Sequence, residues 1–490
     1  MKFVWKSGFF GLLLMGNVLL TGVTVQAAEE PILKTGVYID DMDMSGLTRT
    51  QVLDRLEDYT EQLGQVELTL IAANGNKVKT TGDALGMQWT NEELVQEAFE
   101  LGTKGNVIER YKAIKDLEND KRNFTMVFDY DMQAINDVLA SEAMQYNQKA
   151  VDFDLIKEGK EFKVVEGRIG YALDMETSID IIYDFLTTGW QYTPCDIQLD
   201  INVEQPRGSA EELASVKDIM GSYTTSFTSS GAARTANVTN GCNLINGALL
   251  YPGDEFSAME LVTPFTEKNG YAMAGSYLNG KVVDSLGGGI CQVTTTLYNA
   301  VLLSELEITE RYNHSMSVSY VPPANDAAIA ESAGKDFKFV NNTEAPIYIE
   351  GFVKNKHITF NVYGKEYRPA NRVVTYESEV LEVINPTTDN IIADNTKHLG
   401  YISTEESAHI GYKAKLWKVV TVDGVETERT QVNSSKYKMT PRTAVVGTAT
   451  GDPNAYNEIM AAIGTGSIDH VRNVIALLQG ATQQVVIADI

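Results

Sequence analysis

Gly287-Gly288-Gly289-Ile290-Cys291-Gln292-Val293-Thr294-Thr295-Thr296-Leu297-Tyr298-Asn299-Ala300 is the stretch around which the chain is organised. Val293, Leu297, Ala300 and Val301 recur at helical spacing, which predicts a helix over Gln292 to Leu303 opened by three glycines. Cys291 then stands at a helix N-terminus, where unpaired N–H groups and the macrodipole favour a thiolate. Gly287, Gly288 and Gly289 carry no Cβ, so another backbone or an extended substrate can come close, and they form a candidate substrate-approach loop. About one helix length later comes His314, at the start of the alternating run Ser315 to Tyr320. That run predicts a strand returning the histidine to the cysteine, and a helix answered by a strand reads as α+β.

Histidine usage sharpens this pairing. Only five occur, and His314 is the only one between Met1 and Asn355. A thiol activated by an imidazole is the pattern of cysteine nucleophiles. Asp326 or, failing that, Asp336 would orient the ring, and Gln292 with the Cys291 backbone N–H would form an oxyanion hole. The plainer alternative stays open: Cys291 packs as a small apolar group and His314 bonds to backbone. Cys242 also follows a glycine but has no histidine near it in sequence, and Cys195 follows Pro194; both read as structural. A Cys242 to Cys291 disulfide would remove the thiol altogether.

Upstream, Val37-Tyr38-Ile39 reads as a strand, Thr48 caps a helix to about Leu63, and Asn74-Gly75 turns a hairpin after Val66 to Ile71. A second unit follows: a strand over Phe124 to Phe128, a helix over Asp131 to Met144, a turn at Glu158-Gly159-Lys160 and a helix over Met175 to Leu186. Together these predict two degenerate α+β modules, 33–120 and 121–205. Downstream, 370–450 is strand-rich with a hairpin turn at Asp423-Gly424, and 451–490 is a helical tail.

These residues carry resemblances. Gly36-Val37-Tyr38-Ile39, Met44-Ser45-Gly46-Leu47-Thr48 and Gly170-Tyr171-Ala172-Leu173-Asp174 resemble the peptidoglycan-binding modules of Gram-positive cell-wall proteins. Residues 220–364 resemble the VanW domain, named from an accessory protein of some vancomycin-resistance clusters. The phrases Tyr251-Pro252-Gly253-Asp254, Gly287 to Ala300, Glu310-Arg311-Tyr312-Asn313-His314-Ser315 and Tyr320-Val321-Pro322-Pro323 occur in the family's order. One departure concerns Asp326: the family's glycine and following basic or apolar residue are here Ala324-Asn325. The 370–450 segment is similar to a G5 module, a slender β unit associated with wall glycans or adhesion. The resemblances imply a multidomain α+β wall protein whose partner is peptidoglycan or another cell-wall polymer.

Composition narrows the function classes. The 490 residues suggest about three domains. With 43% hydrophobic and 22% charged residues, disorder is excluded as a whole-chain description. The 40 basic and 66 acidic residues leave a net charge of −26, which repels polyanions, so no nucleic-acid partner is expected. Three cysteines are too few for a disulfide scaffold or a cysteine zinc site. Asp41, Asp43, Ser45 and Gly46 match the start of a calcium loop, but its twelfth position is Val52. No cofactor and no metal are therefore expected.

Lys2 and Lys6, an apolar run from Gly8 to Val25 and the small-residue end at Ala27 read as a signal peptide over 1–27; left uncleaved, it would be a membrane anchor. Extracellular, wall-associated placement follows. Three functions fit: a cysteine acyl-transferase or amide hydrolase acting on wall peptides, a non-catalytic wall binder, and an adhesin or architectural spacer. In cell fractionation the protein is expected outside the cytoplasm, and full-length unprocessed chain in the soluble cytoplasm would contradict this.

Overall fold

The computed structural model describes residues 30–278 and 281–488, so the expected signal peptide lies outside the described residues. The chain is α+β and multidomain, and it divides into two compact units. Among the described residues no helix is long and apolar enough to cross a membrane.

The first unit holds residues up to 149 together with 170–204. Its first helix, Arg49–Gly64, begins where expected. The Thr48 hydroxyl accepts the Gln51 N–H while the Gln51 side chain accepts the Thr48 N–H, satisfying two orphan donors. Strands Glu67–Ile71 and Lys77–Thr81 form the expected hairpin, with Asn74 and Gly75 at φ 56° and 72°. The stretch from Phe124 to Phe128 differs from expectation. It forms two short strands, Arg122–Phe124 and Phe128–Asp129, because Asp40 Oδ1 and Asn91 Oδ1 accept the Met126 and Val127 N–H groups that a ladder would have used.

Nor do 33–120 and 121–205 fold in series. Val37–Ile39 pairs in parallel with Arg122–Phe124, and Glu67–Ile71 with Cys195–Gln198. Val37, Leu56 and Leu70 share one core with Phe128, Ile182 and Leu199. A lone hairpin with one helix buries too little to stand alone, so the two stretches interleave.

The second unit holds 150–169 and 205–490. At its centre the helix Ile290–Leu303 packs on an antiparallel sheet in the order Asp218–Ser226, His357–Gly364, Ile347–Lys354, Ala248–Leu250. Residues 292–302 are all buried, so the helix has no wet face. Its three threonines are accommodated because each hydroxyl bonds locally: Thr294 and Thr295 to Ala327 O, Thr296 to Gln292 O. Gly221 allows the close approach of sheet to helix, since a Cβ there would sit 2.2 Å from Ala300 O.

The β-rich segment supplies two sheets. One orders Arg372–Ile384, Gly411–Val422 and Val425–Tyr437, turning at Asp423 and Gly424 with φ 52° and 79°. The other orders Asn390–His398, Thr443–Ala449 and Ile402–Glu406. The tail helices Pro453–Gly464 and Ile468–Ala488 pack Ile459, Ala462, Val471 and Ile475 against Val446 of that second sheet. The tail is thus part of the β segment's own small core.

Glu305 fastens the end of the Ile290–Leu303 helix to the β segment. Its carboxylate receives Arg372, Lys418 and Arg368 while its side chain is only 9% exposed. Burial pushes its pKa up, but the hydrogen bonds and charges of Arg372 and Lys418 outweigh this and hold it near 2. The folded pKa lies below the unfolded one, so this stabilisation is complete above about pH 5 and is lost as pH falls toward 2. Glu305→Gln is expected to cost about 3 kcal/mol at pH 7 and much less at pH 3, read by urea denaturation at both pH values.

Candidate active site

Gly287 and Gly289 take φ 79° and 111°, conformations that favour glycine, and turn the chain sharply into the Ile290–Leu303 helix. A Cβ on Gly288 would lie 2.2 Å from Ala274 O, and one on Gly289 2.9 Å from Arg234 Cγ. The backbone that the Gly288 gap admits is therefore the chain's own Met273–Leu278 strand. Cys291 follows in the helix's first turn, where backbone N–H groups have no intrahelical partner. Its Sγ lies 3.4 Å from Ile329 O, and part of its surface reaches solvent. All three cysteines are free, so the Cys242–Cys291 disulfide does not form. Cys242 is fully buried and burial pushes its thiol up to about 12.

His314 reaches Cys291, but not on a strand. Residues 311–328 have no regular secondary structure, and the expected ladder through Ser315 to Tyr320 is absent. The reason is that the His314 backbone N–H is taken by Asp326 Oδ2 at 2.7 Å, while Asn313 Nδ2 caps the His314 carbonyl at 2.7 Å. Asp326 Oδ2 also lies 2.6 Å from His314 Nδ1, which leaves Nε2 for the hydrogen bond with the Cys291 thiol. The three side chains therefore form a connected line, sulfur to imidazole to carboxylate.

Electrostatics favour the charged form of this line. Burial disfavours the His314 imidazolium, but hydrogen bonds to Asp326 and Cys291 and their charges outweigh it and raise the ring to about 9. Burial likewise opposes the Cys291 thiolate, and the His314 hydrogen bond and charge overcome that and lower the thiol. Asp326 is 1% exposed; burial pushes it up, while His314 and Arg311 hold it below the usual carboxylate range. Thiolate and imidazolium stabilise one another, since each is the other's hydrogen-bond partner and opposite charge.

Two residues sit differently from expectation. Asp336 serves elsewhere: its carboxylate accepts from the Ser257 hydroxyl and the Met259 N–H. Gln292 is buried, and both amide hydrogens are committed, to Thr225 Oγ1 and Ser226 O at 3.0 Å each, while its Oε1 receives Arg234. Neither hydrogen is left for an oxyanion, and the Ile290 and Gln292 N–H groups donate to Gly287 O and Gly289 O, so the Cys291 backbone N–H is the candidate donor. Ala324 explains the departure at 324–325: it adopts φ 72°, the conformation a glycine takes without strain, and so preserves the turn that delivers Asp326.

Residues not singled out from sequence complete the site. Arg311 binds Asp326 twice, Nη2 to Oδ1 at 3.0 Å and Nε to the backbone oxygen at 2.7 Å. Tyr320 hydrogen-bonds with Thr295, and its hydroxyl is raised well above its ordinary value by burial and by the nearby Cys291 charge. Arg311 and Tyr320 lie in the quoted phrases, so proximity in sequence to His314 was the available signal.

Fold and site together define a modular α+β protein with a buried Cys–His–Asp line in its central domain. Family models agree: VanW like protein matches residues 233–363, a peptidoglycan binding domain 78–194 and a G5 domain 375–449. The peptidoglycan-binding match runs across residue 120, as the interleaved fold does. The Bacillus subtilis protein YoaR is 32% identical over 220 residues, which are 44% of this chain and 67% of YoaR. The vancomycin B-type resistance protein VanW of Enterococcus faecalis is 28% identical over 153 residues, 29% of this chain and 55% of that protein. Thus the chain spans little more than half the length of that VanW. The G5 domain of an IgA1 protease is 20% identical at a TM-score of 0.13, covering 16% of this chain and 94% of that one. The chain belongs to the VanW-like proteins. Its peptidoglycan-binding and G5 domains make it a cell-wall-associated member.

The Cys291 thiol, lowered by His314, is expected to be alkylated by iodoacetamide at lower pH than a free thiol of pKa about 8.5, whereas the Cys242 thiol, pushed up to about 12, is not. His314→Ala removes the cation but not the burial, so Cys291 should then react only above about pH 8.5 and at least tenfold more slowly at pH 7. Peptide mass spectrometry against pH reads both.

Proposed function

We propose that this wall-associated protein acts on the peptide part of peptidoglycan as a cysteine acyl-transferase or amide hydrolase. The observation that carries the reading is the hydrogen-bonded line Cys291–His314–Asp326 at a helix N-terminus. Cys291 Sγ, as thiolate, adds to the carbonyl carbon of a peptide bond, and the carbonyl electron pair moves onto oxygen, stabilised by the Cys291 backbone N–H. As the tetrahedral adduct collapses, the C–N bond breaks and the His314 imidazolium gives its proton to the departing amine. A thioester to Cys291 and a neutral imidazole remain. His314 then takes a proton from water, or from an incoming amine, as that nucleophile adds to the thioester, and the thiolate leaves. Asp326 stays ionised throughout, holding the ring by Nδ1.

The wall polymer is the partner that the peptidoglycan-binding match supports, with secretion by the N-terminal signal delivering the protein to it. The net charge of −26 disfavours simple ionic adsorption to anionic wall polymers, so recognition would rest on specific contacts.

Wild type and variants are incubated with purified muropeptides and the products read by mass spectrometry. Cys291→Ser is expected to keep the fold and lose turnover, because a serine hydroxyl is far less ionised at neutral pH. His314→Ala should lose turnover about as completely, since the members act as a unit. Unchanged product levels in Cys291→Ser would sink the enzyme reading and leave wall binding as the better account.

A further inference from the structure

We infer that the G5 module is part of the thiol site: Tyr437, at the end of its Val425–Tyr437 strand, is a positioning residue that keeps the Asp326 carboxylate turned toward His314. The inference rests on the Cys291–His314 chemistry proposed above and adds a second domain to it.

The hydrogen-bond roles at Tyr437 are fixed by counting protons. Its hydroxyl accepts the Ala324 N–H at 2.7 Å, so its single proton goes to Asp326 Oδ1. Arg311 Nη2 donates to the same oxygen, while Oδ2 takes both the backbone N–H and Nδ1 of His314. One oxygen is thereby reserved for the holders and the other for the histidine. A guanidinium beside a carboxylate favours the two-pronged fork that engages both oxygens. With Tyr437 occupying Oδ1, the carboxylate is held out of that fork. Without the phenol proton it can rotate onto Arg311 and draw Oδ2 away from His314.

The same strand supports the segment that carries the histidine. Residues 311–328 lack a ladder of their own, and the strand end supplies acceptors and donors in its place. Ser435 Oγ accepts from Arg311 Nη1 at 2.9 Å, Asn433 Nδ2 donates to Ala324 O at 3.0 Å, and Lys436 O accepts from Asn313 Nδ2 at 3.0 Å. The Lys438 N–H then reaches Ser315 O at 2.7 Å. Both flanks of the His314–Asp326 pair are therefore fixed to the G5 strand, and Tyr437, 1% exposed, is the residue of that strand that touches the carboxylate.

The test uses the full chain and reads iodoacetamide alkylation of Cys291 against pH, a readout of thiolate formation that needs no substrate. Tyr437→Phe keeps the ring and removes the proton; its alkylation midpoint should rise by about one pH unit, with about a tenfold loss of rate on the acid side. Tyr376→Phe is the control: it removes another phenol of the same module, one bonded to Leu302 O at the far end of the nucleophile helix, and should leave the midpoint in place. Thermal melts verify folding. A folded Tyr437→Phe with the wild-type midpoint overturns the inference and leaves the thiol reading standing. A wild-type midpoint near 8.5 removes both together. Where Tyr437→Phe does not fold, 3-fluorotyrosine placed at 437 keeps the shape and alters the acidity of the phenol; a moved midpoint supports the inference and an unmoved one overturns it.

Discussion

A carboxylate out of contact with water has to be fully hydrogen-bonded or give up its charge, and Asp326 meets that condition from several directions at once. Its donors come from Arg311, from the backbone and ring of His314, and from a tyrosine over a hundred residues away. Meeting this demand dictates much around it. Ala324 has to take a left-handed turn, residues 311–328 forgo a sheet, and the G5 strand has to lie against the central domain. Removing any one donor leaves a buried charge short of a partner, which typically costs more than the bond contributes.

The Ile290–Leu303 helix follows the same logic with neutral groups. A helix buried on all sides needs apolar residues or polar residues that satisfy themselves. Thr294, Thr295 and Thr296 do the latter, and two of them bind Ala327, the residue next to Asp326. Side-chain hydroxyls thus join the helix bearing Cys291 to the loop bearing Asp326. A site of this kind depends on placement within a fraction of an ångström, and packed hydroxyl contacts hold placement better than exposed loops do.

How much of this was legible depended on whether the signal was local. The Gly287 to Ala300 run announced the turn, the helix and the position of Cys291, because helical spacing and glycine turns are short-range properties. Thr48, Asn74-Gly75 and Asp423-Gly424 announced a cap and two hairpins for the same reason. Ser315 to Tyr320 misled, since its alternation is real but its backbone partners are side chains from elsewhere. Gln292 looked free for an oxyanion because nothing nearby in sequence shows Thr225 and Ser226 taking its hydrogens. The interleaving of 33–120 with 121–205 is likewise a matter of parallel pairings between distant strands. Tyr437 could be read as part of a β module, whereas its bond to Asp326 exists only once two domains meet.

The acidity of the whole chain leaves the site's proton balance to its near neighbours. With thiolate and imidazolium formed, Arg311 and His314 are positive and Cys291 and Asp326 negative, so the cluster is neutral. With thiol and neutral imidazole, Arg311 still offsets Asp326, and the cluster is neutral again. Moving the proton from sulfur to nitrogen therefore changes a local dipole and not the net charge. A field from distant surface carboxylates acts most strongly on changes in net charge and is screened over about 8 Å at physiological ionic strength. Direct hydrogen bonds and charges a few ångströms away decide which form prevails, and here they come from Asp326 and from whatever keeps its carboxylate facing the ring.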